Sequence, residues 1–148
     1  MSLEHNITEA IKTAMREKDK TALDALRAVK AQILLVKTEA KGAEVSEEQE
    51  IAILQRMIKQ RKDSFEQFSA QGRTDLADVE TAQTAVIEKF LPKQLTAEEL
   101  ETEIRSIIAE TGAESMKDLG KVMGMASKTL AGKSDGKSIS EMVKKLLS

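Results

Sequence analysis

The chain has no cysteine, tryptophan or tyrosine, and only one proline and one histidine among 148 residues. Without cysteine there can be no disulfide, no thiolate metal site and no cysteine nucleophile. A lone His5, close to the terminus, cannot build a histidine-rich metal site, and a nucleophile–histidine pair is effectively ruled out. We therefore expect neither a metal nor a cofactor. No apolar run approaches the roughly 18 residues that span a bilayer, so no membrane partner is expected. The opening "MSLEHNITEAIKTAM" lacks a basic region followed by an apolar one and does not read as a signal peptide. Together these absences predict a cytoplasmic protein. A net charge of -2 argues against a polycationic nucleic-acid binder but leaves room for a local basic patch.

What remains is rich in Leu, Ile, Val, Met and Ala, with long segments free of glycine, a composition that favours helix. At this length about two-thirds of the unfolded surface can be buried in a core. Seven helices follow from caps and periodicity, and nothing reads as a strand. The first carries Leu3, Ile7, Ile11 and Met15, and the second Ala22, Leu26, Val29, Ile33 and Val36, stopping near Gly42. Ser46 with Gln49 forms a capping box for the third, striped with Ile51, Leu54, Ile58, Phe65 and Phe68. Arg61 interrupts that stripe. Either it lays its methylenes on the core and turns its head group outward, or it pairs with an acid of a neighbouring helix or faces a partner.

The fourth helix follows Gly72, with Leu76, Val79, Val86 and Phe90 on its inner face. Pro92 removes a backbone donor and pushes Leu91 out of the helical region. The expected organisation is all-α: a four-helix N-terminal domain over 1–91 and a smaller three-helix tail domain over 92–148. In the tail, Thr96 with Glu99 starts the fifth helix and Gly112 ends it. Ser115 with Asp118 starts the sixth, and Ser138 with Glu141 the seventh.

The stretch "LAGKSDGKSISEM" spells Gly-Lys-Ser twice. A nucleotide-binding loop needs another glycine five residues before the second one, and those positions hold Ser127 and Ala131. It must also follow a strand, whereas a helical stripe precedes this segment. Gly132 suits a helix end, Asp135-Gly136 a turn, and Ser138 a cap. A weaker phosphate reading survives, because a glycine-rich turn feeding a helix N-terminus offers free N–H groups. Lys133 and Lys137 flank the turn, and Lys117, Lys121 and Lys128 approach from the sixth helix. Residues 113–148 carry seven lysines against four acids, a net charge of about +3. Such a patch is either a solvated surface or a holder of nucleic-acid phosphates. Gly120 and Gly124, four apart on the sixth helix, each cost about 1 kcal/mol relative to alanine. Close packing of a neighbouring helix or approach of a ligand backbone would offset that cost. No serine has an evident base, and the carboxylates interleave with lysines on helix faces, so no catalytic constellation emerges.

Several segments together resemble the GatB/YqeY family: "ILQRMIKQRKDS", "GRTDLADVE", "FLPKQLTAEEL", "DLGKVMG" and "GKSDGK", in family order from Ile53 onward. Family members commonly carry Met and Ala at Leu119 and Ser134, and an acid at Gln83. The resemblance implies a two-part all-helical fold. In the amidotransferase B subunit, which serves the tRNA-dependent synthesis of glutamine and asparagine, the related region is a helical domain plus a small tail that engages tRNA. Its activation and amidation chemistry resides in a separate domain for which this chain has no room. The resemblance thus implies a tRNA partner contacted through Gly120, Lys121, Gly124, Gly132, Lys133, Gly136 and Lys137, and the charge pattern adds Lys117 and Lys128 as RNA-binding candidates. Two alternatives stand beside a non-catalytic tRNA-binding or amidotransferase-related accessory module. One is an interaction module docking on an aminoacyl-tRNA synthetase or amidotransferase component. The other is a carbon–nitrogen ligase activity with glutamine as amido donor.

Overall fold

A computed structural model of the chain describes residues 2–148. Among them there are seven α-helices and a short 3-10 turn but no strand, so the molecule is all-helical. The chain divides into two compact units, one running through Leu91 and the other over Pro92–Ser148.

In the first unit, α1 (Leu3–Glu17) starts at Ser2, whose hydroxyl accepts the N–H of His5 at 3.2 Å. Glu50, on a neighbouring helix, accepts the N–H of Leu3 at 2.7 Å and so satisfies another of the orphan donors. The buried face of α1 is Leu3, Ile7 and Ala14, while Met15 is exposed. A repeat of strictly four residues gains about 40° per step on a 3.6-residue turn, which carries Met15 away from the core and brings Ala14 in.

Asp19 caps α2 (Lys20–Glu39), which buries Ala25, Leu26, Val29 and Ile33. Its end is closed by the left-handed Lys41 and Gly42, the latter donating its N–H to the carbonyl of Lys37 at 2.8 Å. The expected capping box of Ser46 and Gln49 starts α3 (Glu47–Ala70). Its buried stripe is Ile53, Leu54, Met57 and Ile58, and Phe65 lies exposed instead of continuing it.

On α4 (Thr74–Glu88) the inner face is Ala77, Thr84 and Ile87, whereas Val79 is exposed. Thr84 can be buried because its hydroxyl donates to the carbonyl of Glu80 at 2.8 Å. Arg61 occupies the gap in the α3 stripe half-buried, donating through Nε to the side-chain oxygen of Gln83 on α4 at 3.1 Å. Its partner on α4 is an amide, not an acid. The core of this unit centres on Ile7, Val29, Ile33, Leu54 and Ile87. Full burial of each large aliphatic side chain is worth about 1.5–3 kcal/mol.

In the second unit, α5 (Ala97–Thr111) opens on the expected Thr96–Glu99 capping box and closes on a left-handed Gly112. Ser115 caps the 3-10 turn Met116–Asp118 and not a helix: its hydroxyl accepts the N–H of Lys117, and Asp118 turns to the N–H of Glu114. The sixth helix, α6 (Leu119–Thr129), follows, and then α7 (Gly136–Leu147). Leu100, Ile104, Val122, Leu130, Ile139 and Val143 hold these three helices together.

Candidate functional site

The two glycine–lysine segments of the tail adopt different structures. On α6, Val122 and Ala126 are buried, and a helix turns about 100° per residue. Gly120, Lys121, Gly124 and Lys128 therefore share the opposite, exposed side, and Lys117 precedes them, also exposed, in the 3-10 turn. Beyond the helix's own backbone, no atom lies within 4 Å of where a Cβ would stand on Gly120 or Gly124. Close helix packing is thus not what the glycines serve among the described residues. They leave a strip of bare backbone open to solvent beside three lysines. Lys121 also has a structural partner, its ammonium donating to the carbonyl of Thr111 at 3.3 Å near the end of α5.

The second segment is a junction. Gly132 takes a left-handed conformation with φ 78° just after α6 and is buried. Gly136 is not a turn residue but the first residue of α7. The cap of α7 is Asp135, not Ser138: its carboxylate accepts the N–H of Ser138 at 3.2 Å and the hydroxyl at 2.6 Å. Asp135 thus takes one of the N–H groups at this helix start and sets a negative charge beside it. Lys133 and Lys137 are both exposed.

The loop before α7 is tied to the strap between Pro92 and the Thr96 cap. The N–H of Leu95 donates to the carbonyl of Lys133 at 2.9 Å. The Gln94 amide donates to the carbonyls of Gly132 and of Pro92. A half-open cleft of about 400 Å³ lies between this strap and α7. Leu95, Leu100 and Met142 provide apolar lining, and its charges are balanced, Lys133 and Lys145 against Asp135 and Glu141. Of the five tail lysines singled out from the sequence, only Lys133 lines it. The backbone bond from Leu95 to Lys133 leaves no periodic or capping signature, so nothing local announces the cleft.

Electrostatics at the strap follow from the cap. The Glu99 carboxyl is held below the ordinary glutamate range by the N–H of Thr96 first, then the Thr96 hydroxyl, with the Lys93 charge adding to the effect. No group of three or more His, Asp or Glu side chains suited to a metal ion occurs among the described residues. No helix among them is long and apolar enough to cross a membrane.

Residues 4–147 match the family described as Yqey-like protein. The chain is also similar to curated proteins named altered inheritance of mitochondria protein 41, mitochondrial. With that of Pyrenophora tritici-repentis it shares 29% identity over 139 residues, covering 93% of this chain and 76% of the relative. With that of Meyerozyma guilliermondii the identity is 30% over 128 residues, 81% of this chain and 64% of the relative. The Lachancea thermotolerans protein is 28% identical over 100 residues, 68% of this chain and 54% of the relative. The relatives' mitochondrial designation contradicts the cytoplasmic expectation, which rested only on features the chain lacks.

Proposed function

From the premise that the chain belongs to the Yqey-like protein family, we propose that it is a non-catalytic helical module whose C-terminal unit binds tRNA through its phosphates. The observation that carries this reading is the open glycine–lysine side of α6. Two glycines on a solvent-facing helix weaken it by about 1 kcal/mol each relative to alanine, with no packing gain in return. Bare backbone lets a sugar–phosphate chain approach closely, and Lys117, Lys121 and Lys128 supply the neutralising charge. Lys133 and Lys137 extend the cationic surface toward α7. All three phenylalanines, Phe65, Phe68 and Phe90, precede Pro92, so the tail has no aromatic platform on which to stack a base. Contacts of this kind position an RNA by its backbone and shape and do not read its sequence.

We assign the division at Pro92 the same sense: a four-helix unit carries a three-helix RNA-contacting tail. The test is Gly120→Ala with Gly124→Ala. Added methyl groups should raise the thermal stability of the tail and at the same time weaken tRNA binding. Higher stability with unchanged affinity would remove close backbone approach from the account. A second reading, docking on a protein of aminoacylation or tRNA-dependent amidation, draws its support from the cleft beside α7.

A further inference from the structure

The corner between α1 and α2 is built differently from the others. After α2, α3, α5 and α6 the left-handed backbone falls on glycine or beside it, at Gly42 next to Lys41, Gly72, Gly112 and Gly132. Between α1 and α2 it falls on Lys18, at φ 56°, with no glycine near. A residue with a side chain pays a steric cost in that region that glycine avoids. Only Lys18 and Asp19 lie outside the two helices, and the chain from Leu3 to Glu39 contains neither glycine nor proline. Met15, Arg16, Glu17, Lys18 and Lys20 are all good helix formers.

The apolar stripe also keeps its phase through this corner. Leu3, Ile7, Ala10 and Ala14 on α1 are followed by Ala22, Ala25, Val29, Ile33 and Val36 on α2, all buried or half-buried. With Lys18 counted at the centre, every step is three or four residues, so one unbroken helix would present them on a single face. A hairpin does not require this, because each of its helices can meet the core at its own phase. The contacts that hold α1 are of a kind that another copy supplies equally well. They are its buried face on α2, the Lys37–Glu4 pair at 2.8 Å, and the Leu3 N–H on Glu50 of α3 at 2.7 Å.

We propose that α1 is an exchangeable arm whose partner is a second copy of this chain. Lys18 passes from the left-handed to the right-handed helical region, Asp19 follows, and α1 and α2 become one helix from Leu3 to Glu39. Each α1 then lies on the α2 and Glu50 of the other copy, and the two long helices run antiparallel about a twofold axis. The exchange gives up the corner's own bonds, from the N–H of Lys18 to Met15 and of Asp19 to Ala14, and the Asp19 cap on the N–H of Ala22. Helical bonds replace them, a strained lysine is relieved at two corners per dimer, and the contacts of α1 are remade. A lone chain must bend instead, since a straight helix would uncover its core. Each dimer carries two C-terminal units, so exchange is also a route to bivalent binding, whatever those units hold.

The test uses the full chain, refolded from urea at rising concentration so that arms can exchange, and sized by light scattering. The parent should give a dimer fraction that grows with concentration. Lys18→Gly, which suits the bend and weakens a straight helix, should lower the association constant at least about tenfold. Asp19→Ala, which removes the α2 cap and favours continuous helix, should raise it by a similar factor. Because the chain has no cysteine, His5→Cys with Thr38→Cys gives two exposed spin-label sites at the ends of α1 and α2 far from the corner. With labelled chains diluted in unlabelled ones, the hairpin keeps the pair together, whereas the exchanged arm sets them about 50 Å apart along one helix. The proposal is overturned by a chain that stays monomeric throughout, by dimers that retain the short separation, or by variants that leave the association constant unchanged. None of these readouts involves RNA, so this result and the tRNA reading fail separately.

Discussion

The carboxylate of Asp135 takes both the N–H and the hydroxyl of Ser138, at 3.2 and 2.6 Å. That relationship makes Asp135 the residue that starts α7 and Ser138 its satisfied third position. Asp135→Ala should therefore destabilise the tail by about 1 kcal/mol, and Ser138→Ala by clearly less. Thermal or denaturant unfolding of the two variants decides the order. A larger loss for Ser138→Ala would restore serine as the cap.

A second expectation concerns acid. Glu99 has its carboxyl held below the ordinary range by the Thr96 N–H and hydroxyl. An acid whose native pKa is depressed contributes stability above its unfolded pKa and loses it as pH falls through the native one. The tail should thus lose part of its stability as pH drops from about 5 to 3. Glu99→Gln keeps a side chain able to return to the Thr96 N–H but has no proton to gain. Its pH profile should be flatter over that window, and an unchanged slope would take Glu99 out of the acid response.

Arg61 and Gln83 give a third. Nε of Arg61 reaches the Gln83 side-chain oxygen at 3.1 Å, and a second guanidinium nitrogen reaches the carbonyl of Met57 at 3.4 Å. Gln83→Leu would leave a half-buried guanidinium with one partner fewer and should cost about 1–2 kcal/mol. Gln83→Glu supplies a carboxylate at the same reach and should be neutral or stabilising by up to about 1 kcal/mol. Chemical denaturation measures both. Equal losses in the two variants would mean that an acceptor for Arg61 at this position is not what stabilises the fold.

How much of this was legible in the sequence depends on how local each signal is. The boxes of Ser46 with Gln49 and Thr96 with Glu99, and the closure at Gly112, lie within a single turn and were readable directly. Inner faces were readable only where apolar residues dominate. Thr84 is not legible as an inner residue because a buried hydroxyl that bonds its own helix looks polar in the sequence, whereas Val79 looks apolar and is exposed. In the tail, Ser138 and Asp135 both look like caps, and only geometry separates acceptor from donor. The glycines of α6 were visible, but whether they faced a helix or open space was not. The strap was invisible because Leu95 meets Lys133 through backbone atoms that every residue shares.

If the open side of α6 binds RNA phosphates as proposed, tRNA binding must depend on salt. Affinity should be measured across a salt series for the parent chain and for Lys117→Glu combined with Lys128→Glu. These two lysines stand at either end of the glycine strip, and neither is the Thr111-bound Lys121. For each phosphate neutralised, the logarithm of the binding constant should fall by about 0.7–0.9 per tenfold rise in salt. The slope should be steep in the parent, and shallower with weaker binding in the variant. Identical, salt-insensitive affinities in both proteins would contradict it.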